Sequence, residues 1–141
     1  MIKTNYFGLD VGEKTIGIAF SQGFYAQPFK TVTFERDDYE NAINQLVTLI
    51  FEQNVGHVII GFPKHMNNDI GQSAQRALMI ESLLKDRVDA SIIMWDERLS
   101  SKEANRRMLE FDVSRKKRKQ KIDQVAAVII LQSYLDSHER K

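Results

Sequence analysis

An α/β fold with a mixed sheet flanked by helices is the architecture this sequence predicts, and three observations carry that expectation. Strand-like patterns come first and in succession, helical and strand-like patterns then alternate, and the chain closes on an apolar-rich helical stretch. The 141 residues suit one domain, 1–141, large enough for a continuous core, and no internal repeat, low-complexity tract or interdomain linker interrupts them.

Apolar residues bounded by turn signals predict strands at about 5–11, 15–21 and 29–34, the first two joined as a hairpin through Gly12. Asp37-Asp38 then caps a helix over about 38–53, where Ala42, Leu46, Leu49 and Ile50 recur at helical spacing. Val58-Ile59-Ile60 reads as a buried strand ending in Gly61-Phe62-Pro63. A polar loop with Asn67-Asn68-Asp69 leads into a helix over about 70–86 that turns Ala74, Ala77, Leu78 and Leu84 to the core. Ser91 to Trp95 forms the last strand and runs directly into Asp96-Glu97-Arg98. Ser100 or Ser101 caps a short helix over about 101–110, with Glu103 completing a capping box, and a basic loop then precedes a final helix over about 122–136. Phe24, Tyr25 and Phe29 are expected in the core, the alternative being an exposed apolar patch.

Composition narrows the chemistry. With no cysteine, disulfides, thiol catalysis and cysteine-based zinc sites are excluded, and His57, His65 and His138 lack helical metal-ligand spacing. No basic-then-apolar signal segment opens the chain and no apolar run approaches the eighteen or so residues that span a membrane, so a cytoplasmic protein without membrane partners is expected. The net charge of +1 hides an asymmetry. Arg115, Lys116, Lys117, Arg118, Lys119 and Lys121 put six positive charges into seven residues, which leaves the rest of the chain at −5. Such a run is either a solvated loop or a phosphate-binding surface.

The acids are the sharper signal. Asp10 sits between Leu9 and Val11 in an apolar strand, and a carboxylate buried there costs several kcal/mol unless a cation or a donor cluster neutralises it. It is equally compatible with facing solvent and opening the turn with Gly12. Asp96 and Glu97 fall where the last strand ends, and Asp123 falls on the first turn of the final helix. Ligands of open α/β sheets bind at the carboxyl ends of the parallel strands, so acids from three elements can converge there. Hard oxygen ligands suit Mg²⁺ or Mn²⁺, and two such ions about 3.5–4 Å apart activate water and stabilise a leaving oxygen in phosphodiester hydrolysis. Plainer alternatives are a Glu97–Arg98 pair and, for Asp123, an acid favoured by the helix dipole.

Four motifs in order then resemble the YqgF family: Leu9-Asp10-Val11-Gly12-Glu13-Lys14-Thr15-Ile16-Gly17-Ile18-Ala19; Ile59-Ile60-Gly61-Phe62-Pro63 followed by Met66-Asn67; Asp96-Glu97-Arg98-Leu99-Ser100; and Lys121-Ile122-Asp123-Gln124-Val125-Ala126-Ala127 continuing to Leu135. The resemblance spans nearly the whole chain. It implies a ribonuclease H-like five-stranded mixed sheet in the order 3-2-1-4-5, with the second strand antiparallel to its neighbours. It also implies a hydrolase of ribosome biogenesis that matures the 5′ end of pre-16S rRNA, or a Holliday-junction-resolvase-like enzyme. Asp10, Glu97 and Asp123 match the family's proposed catalytic acids, and Asp96 is a further candidate beside Glu97. One departure lies after Pro63, where Lys64-His65-Met66-Asn67-Asn68-Asp69-Ile70-Gly71 lacks the local Gly of a Leu-Asn-Met-Asp-Gly-Thr-like loop, which bears on loop conformation and substrate preference.

The expected function is therefore a nuclease with two Mg²⁺ or Mn²⁺ ions held by Asp10, Glu97 and Asp123, acting on structured RNA and on ribosomal assembly particles. Lys14, Arg98 and the basic run Arg115 to Lys121 are the expected nucleic-acid contacts, although Lys14 is as compatible with a plain exposed turn lysine. A branched-DNA resolvase is the alternative, and it would dimerise to cut two strands symmetrically, so a monomer or weak homodimer is expected. A non-catalytic RNA-binding assembly factor is a third reading. A phosphotransferase of the actin and sugar-kinase type shares the Asp-x-Gly hairpin but needs two domains around its nucleotide.

Overall fold

The computed structural model describes residues 4–62, 71–96 and 115–139, the side chains of 115–123 and 138–139 excepted. Its elements are β1 (Asn5–Val11), β2 (Thr15–Ser21), β3 (Gln27–Thr33), α1 (Tyr39–Glu52), β4 (Val55–Phe62), α2 (Gln72–Lys85), β5 (Ser91–Asp96) and α3 (Arg115–Glu139). The strands form one sheet in the order β3-β2-β1-β4-β5. β2 runs antiparallel to β1 and β3, while β1, β4 and β5 are mutually parallel. This is the mixed 3-2-1-4-5 sheet that the motifs imply.

The side chains of each strand alternate between two cores. Phe7, Leu9, Ile16, Ile18, Val58 and Ile60 point to one face, where Ala42, Ile43, Leu46 and Ile50 of α1 and Ala77, Ile80 and Leu84 of α2 cover them. Ala19 and Ile59 point to the other face and meet Ala127, Ile130, Leu131 and Tyr134 of α3. α1 starts where the sequence places it, because the Asp38 carboxylate accepts the Asn41 N–H at 3.3 Å.

One glycine sets how α3 lies on the sheet. A Cβ at Gly8 would stand 2.6 Å from the Leu131 Cβ and 2.8 Å from the Ala127 carbonyl oxygen, so helix backbone packs directly on strand backbone there. Further down β1 the Tyr6 and Tyr134 rings meet at 6.4 Å, so α3 runs antiparallel to β1. Moving from Gly8 to Asp10 advances about 6.8 Å along the strand, or between four and five residues of helix at about 1.5 Å each. Asp10 therefore lies level with the part of α3 around residues 123–126. An independent contact agrees: Gln124 Nε2 donates to Thr31 Oγ1 at 2.9 Å, and Thr31 is joined through Gly17 to Asp10 in a single rung across three strands.

Three sequence expectations are corrected. The final helix begins at Arg115, not at 122, so the basic run belongs to the helix rather than to a loop. Arg, Lys and Gln are strong helix formers and no Gly or Pro separates 115 from 139, so the switch from charged to apolar residues does not mark a helix start. Phe24 and Tyr25 are exposed, at 69% and 84%, instead of buried. Gln132 holds their loop by its backbone, accepting the Ala26 N–H at 2.8 Å and donating to the Phe24 carbonyl at 3.2 Å, while Phe29 alone of the three packs inward against Phe7 and Phe20. Leu78 stays outside the core at 37% exposure, because the buried stripe of α2 runs through Ala77, Ile80 and Leu84. The helix expected over 101–110, with Ser100, Ser101 and Glu103, lies outside the described residues.

The Gly8 contact makes a direct prediction. Gly8→Ala forces a methyl against a helix that cannot yield by rotating a side chain, and should cost about 1–3 kcal/mol. Urea unfolding should give a lower midpoint at an unchanged slope; an unaltered midpoint would mean that α3 does not rest on β1 at this level.

Candidate active site

Strand parity decides which acids share a surface. Asp10 is half-buried near the carboxyl end of β1 and has the parity of Tyr6 and Gly8, so it stands on the α3 face. Asp123 belongs to the third turn of α3, four residues before Ala127, whose carbonyl lies over Gly8. One turn further toward the N-terminus on the same helix stripe, its backbone falls at the level of Asp10. This removes the dipole explanation of Asp123, which applies only within the first turn of a helix.

Both strands beside Asp10 carry glycine at its level. Gly17 is its partner on β2, and Gly61 is the next residue in register on β4 after the Leu9–Ile60 pair. Neither position adds a side chain beside Asp10. Glycine inside a strand pattern often marks a place where a ligand or another backbone comes close, and that was the signal in the sequence that could have singled out Gly17 and Gly61.

Asp96 closes β5 opposite Phe62 and has the parity of Ile92 and Met94, which pack in the α1–α2 core. It therefore stands on the face away from Asp10. Glu97 and Arg98 lie outside the described residues, as do the side chains of Asp123 and of Arg115, Lys116, Lys117, Arg118, Lys119 and Lys121. Among the described residues no group of three His, Cys, Asp or Glu side chains is placed to hold a metal. Lys14 is exposed in the turn between β1 and β2.

That turn is tied down by residues that sequence reasoning passed over. Gly12 N–H donates to the Thr15 carbonyl at 2.7 Å, Phe34 N–H to the Lys14 carbonyl at 3.0 Å and Asp37 N–H to the Glu13 carbonyl at 3.0 Å. The Glu13 carboxylate meets Arg36 at 3.2 Å and Arg76 of α2 at 3.4 Å. Arg76 also lies 3.9 Å from Asp37, whose carboxylate accepts the Tyr39 hydroxyl at 3.3 Å. Burial chiefly, with Asp37 adding to it and Arg76 opposing, pushes the Tyr39 hydroxyl above its ordinary pKa and keeps it a donor. Arg36, Tyr39, Gln75 and Arg76 line a cleft of about 340 Å³ beside this cluster.

Comparison with known proteins agrees with the motifs. A family model described as "RuvX: Holliday junction resolvase" matches residues 4–137. A protein of Staphylococcus haemolyticus (strain JCSC1435) named "Putative pre-16S rRNA nuclease" is 51% identical over 97% of this chain and 99% of its own length. A relative of the same name in Staphylococcus aureus (strain JH9) is 50% identical over the same shares. Among solved structures, T. thermophilus RuvC in complex with a Holliday junction substrate aligns with a TM-score of 0.63 at 13% identity, over 98% of this chain and 97% of that one. Fowlpox virus resolvase with Holliday junction DNA aligns with a TM-score of 0.61 at 11% identity, over 95% and 98%. The structural likenesses establish a shared RuvC-like, ribonuclease H-type fold, and the sequence matches over nearly the full length establish that this chain belongs to the RuvX family, also called YqgF.

Proposed function

We propose that this chain is a divalent-metal-dependent nuclease that hydrolyses phosphodiester bonds and matures the 5′ end of pre-16S rRNA. The observation that carries the reading is the placement of Asp10, half-buried between two strand glycines on the sheet face that α3 crosses at the level of Asp123. Full-length relatives named for pre-16S rRNA support the substrate.

Asp10 and Asp123 with Glu97 form a set of hard oxygen donors suited to Mg²⁺ or Mn²⁺, two ions being the number that in-line phosphodiester hydrolysis uses. Bound there, such ions supply the charge that activates water and stabilises the leaving oxygen. Asp10 would be shared between them. Glu97 rather than Asp96 is the β5-side partner, since Asp96 has the parity of the opposite face. Arg98 would orient Glu97 or a phosphate oxygen, and Lys14 would meet the backbone of the strand near the turn.

The basic part of α3 supplies the nucleic-acid contact. By register, residues 115–121 extend beyond the level of Asp10, past the carboxyl edge of the sheet. Like charges three and four residues apart on a helix repel by about 0.2–0.5 kcal/mol each. This stretch contains several such pairs, among them Arg115 with Lys119 and Lys117 with Lys121. A phosphate backbone relieves that repulsion while positioning the scissile group without reading bases.

Structured RNA in ribosomal assembly particles, in the cytoplasm, is the setting this reading implies, with the protein a monomer or weak homodimer. No helix among the described residues is long and apolar enough to cross a membrane. The description of the family model favours a second reading, resolution of branched DNA. Matched pre-rRNA and four-way DNA junction substrates, cleaved with Mg²⁺ or Mn²⁺, separate the two.

Asp10→Asn should abolish cleavage of either substrate while leaving the metal-free protein as stable as the wild type or more so, because it relieves repulsion among carboxylates. Mn²⁺ should raise the melting temperature of the wild type by mass action, by the equivalent of about 2.7 kcal/mol at a hundred times Kd, and that of the variant much less. Equal shifts would count against a metal site on Asp10. Replacing Lys116, Lys117, Arg118 and Lys119 together by Gln, which keeps helix propensity, should weaken binding and reduce the salt slope by about 0.9 per lost contact on duplex DNA or about 0.7 on a single strand. Unchanged affinity and slope would reduce the basic segment to a solvated helix.

A further inference from the structure

The turn that follows Asp10 is held from outside the sheet. Asp10 is the last residue but one of β1, and Glu13 occupies the tip of the connection to β2. Within the turn, the Gly12 N–H donates to the Thr15 carbonyl. Among the described residues, further restraints come from the β3–α1 connection and from α2, through the Glu13 side chain and carbonyl, Arg36, Asp37 and Arg76. Arg76 is the less exposed arginine, its side chain 18% exposed against 65% for Arg36. Asp37 adopts a left-handed backbone conformation, φ 61°, that side-chain-bearing residues rarely take, and it does so where its N–H reaches the Glu13 carbonyl and its carboxylate faces both Tyr39 and Arg76.

Stability alone is a weak reason for this arrangement. Ion pairs with partners as exposed as Glu13 and Asp37 contribute about 0–1 kcal/mol each, so together they do little more than offset the cost of a strained backbone residue, about 1–3 kcal/mol. What the network does supply is a fixed hairpin tip. Three residues from the carboxylate to which the proposed function gives a cation, that matters, since constellations of this kind tolerate errors of only about 0.5 Å.

We infer that Arg76 is a positioning residue for Asp10: from α2 it clamps Glu13 and Asp37, fixes the β1–β2 turn and so sets the affinity of the acid site for its divalent ion. The inference rests on the metal-dependent reading above. It also couples the site to α2, the helix that follows the connection from the carboxyl end of β4.

The test is Mn²⁺ binding to the full-length protein, read from the free-Mn²⁺ paramagnetic resonance signal, with amide hydrogen exchange at Gly12 to Thr15. Arg76→Ala should weaken Mn²⁺ binding about 10–100-fold, the range for partners that orient metal ligands. Turn amides should exchange faster, and binding of uncleaved nucleic acid in EDTA should be unchanged. Glu13→Gln should reproduce the effect, the double variant should add little to either single one, and Arg76→Lys should restore part of the affinity. Glu13→Gln carries the test if Arg76→Ala fails to fold. Wild-type Mn²⁺ affinity in Arg76→Ala or Glu13→Gln, even with a lowered melting temperature, overturns the inference and leaves Arg76 a structural residue. A wild type that binds no Mn²⁺ overturns the metal reading and the inference with it.

Discussion

The contact on which this molecule's site depends is the packing of α3 backbone on Gly8. A side chain there would meet both the Leu131 Cβ and the Ala127 carbonyl closer than van der Waals distance. Because neither partner can turn aside, the contact fixes the helix in height above the sheet and in level along it. The level matters most for function. It brings the turn of α3 that contains Asp123 opposite the end of β1 that contains Asp10, and the Gln124 to Thr31 hydrogen bond pins the same level from the β3 side of the sheet. Two positions more than a hundred residues apart in the chain thus come to the same level of the sheet through a glycine that carries no chemistry of its own.

Much of the fold was legible because its signals are local. The hairpin through Gly12, the α1 cap at Asp38 and the buried run Val58-Ile59-Ile60 each depend on patterns within a few residues, and the structure places all three as read. The strand order came from the family motifs rather than from periodicity. The start of α3 lies earlier than the apolar pattern indicates, because charged and apolar residues alike are good helix formers and the change between them carries no boundary signal. Phe24 and Tyr25 were misread because hydrophobicity alone does not reveal that Gln132, over a hundred residues on, anchors their loop by its backbone.

The candidate site was legible in its acids and not in its surroundings. Asp10 stands out as a charge in an apolar strand, but Gly17 and Gly61 acquire meaning only once the register sets them on either side of it. Glu13 and Arg76 are 63 residues apart and resemble any surface charges until the hairpin tip and α2 are seen to meet. Charge follows the same logic at larger scale. The sequence divides into a body of net −5 and a helical segment of +6, the asymmetry from which the proposed cation and phosphate contacts are argued.

The central claim is that Asp10, Glu97 and Asp123 hold divalent ions at that edge. Crystals of the protein soaked in Mn²⁺, with anomalous diffraction recorded above the manganese absorption edge, test it most directly. The account predicts anomalous peaks on the α3 face within coordination distance of the Asp10 carboxylate and shared with Glu97 and Asp123. Peaks found only elsewhere, or an Asp10 carboxylate without an ion in saturating Mn²⁺, would contradict it.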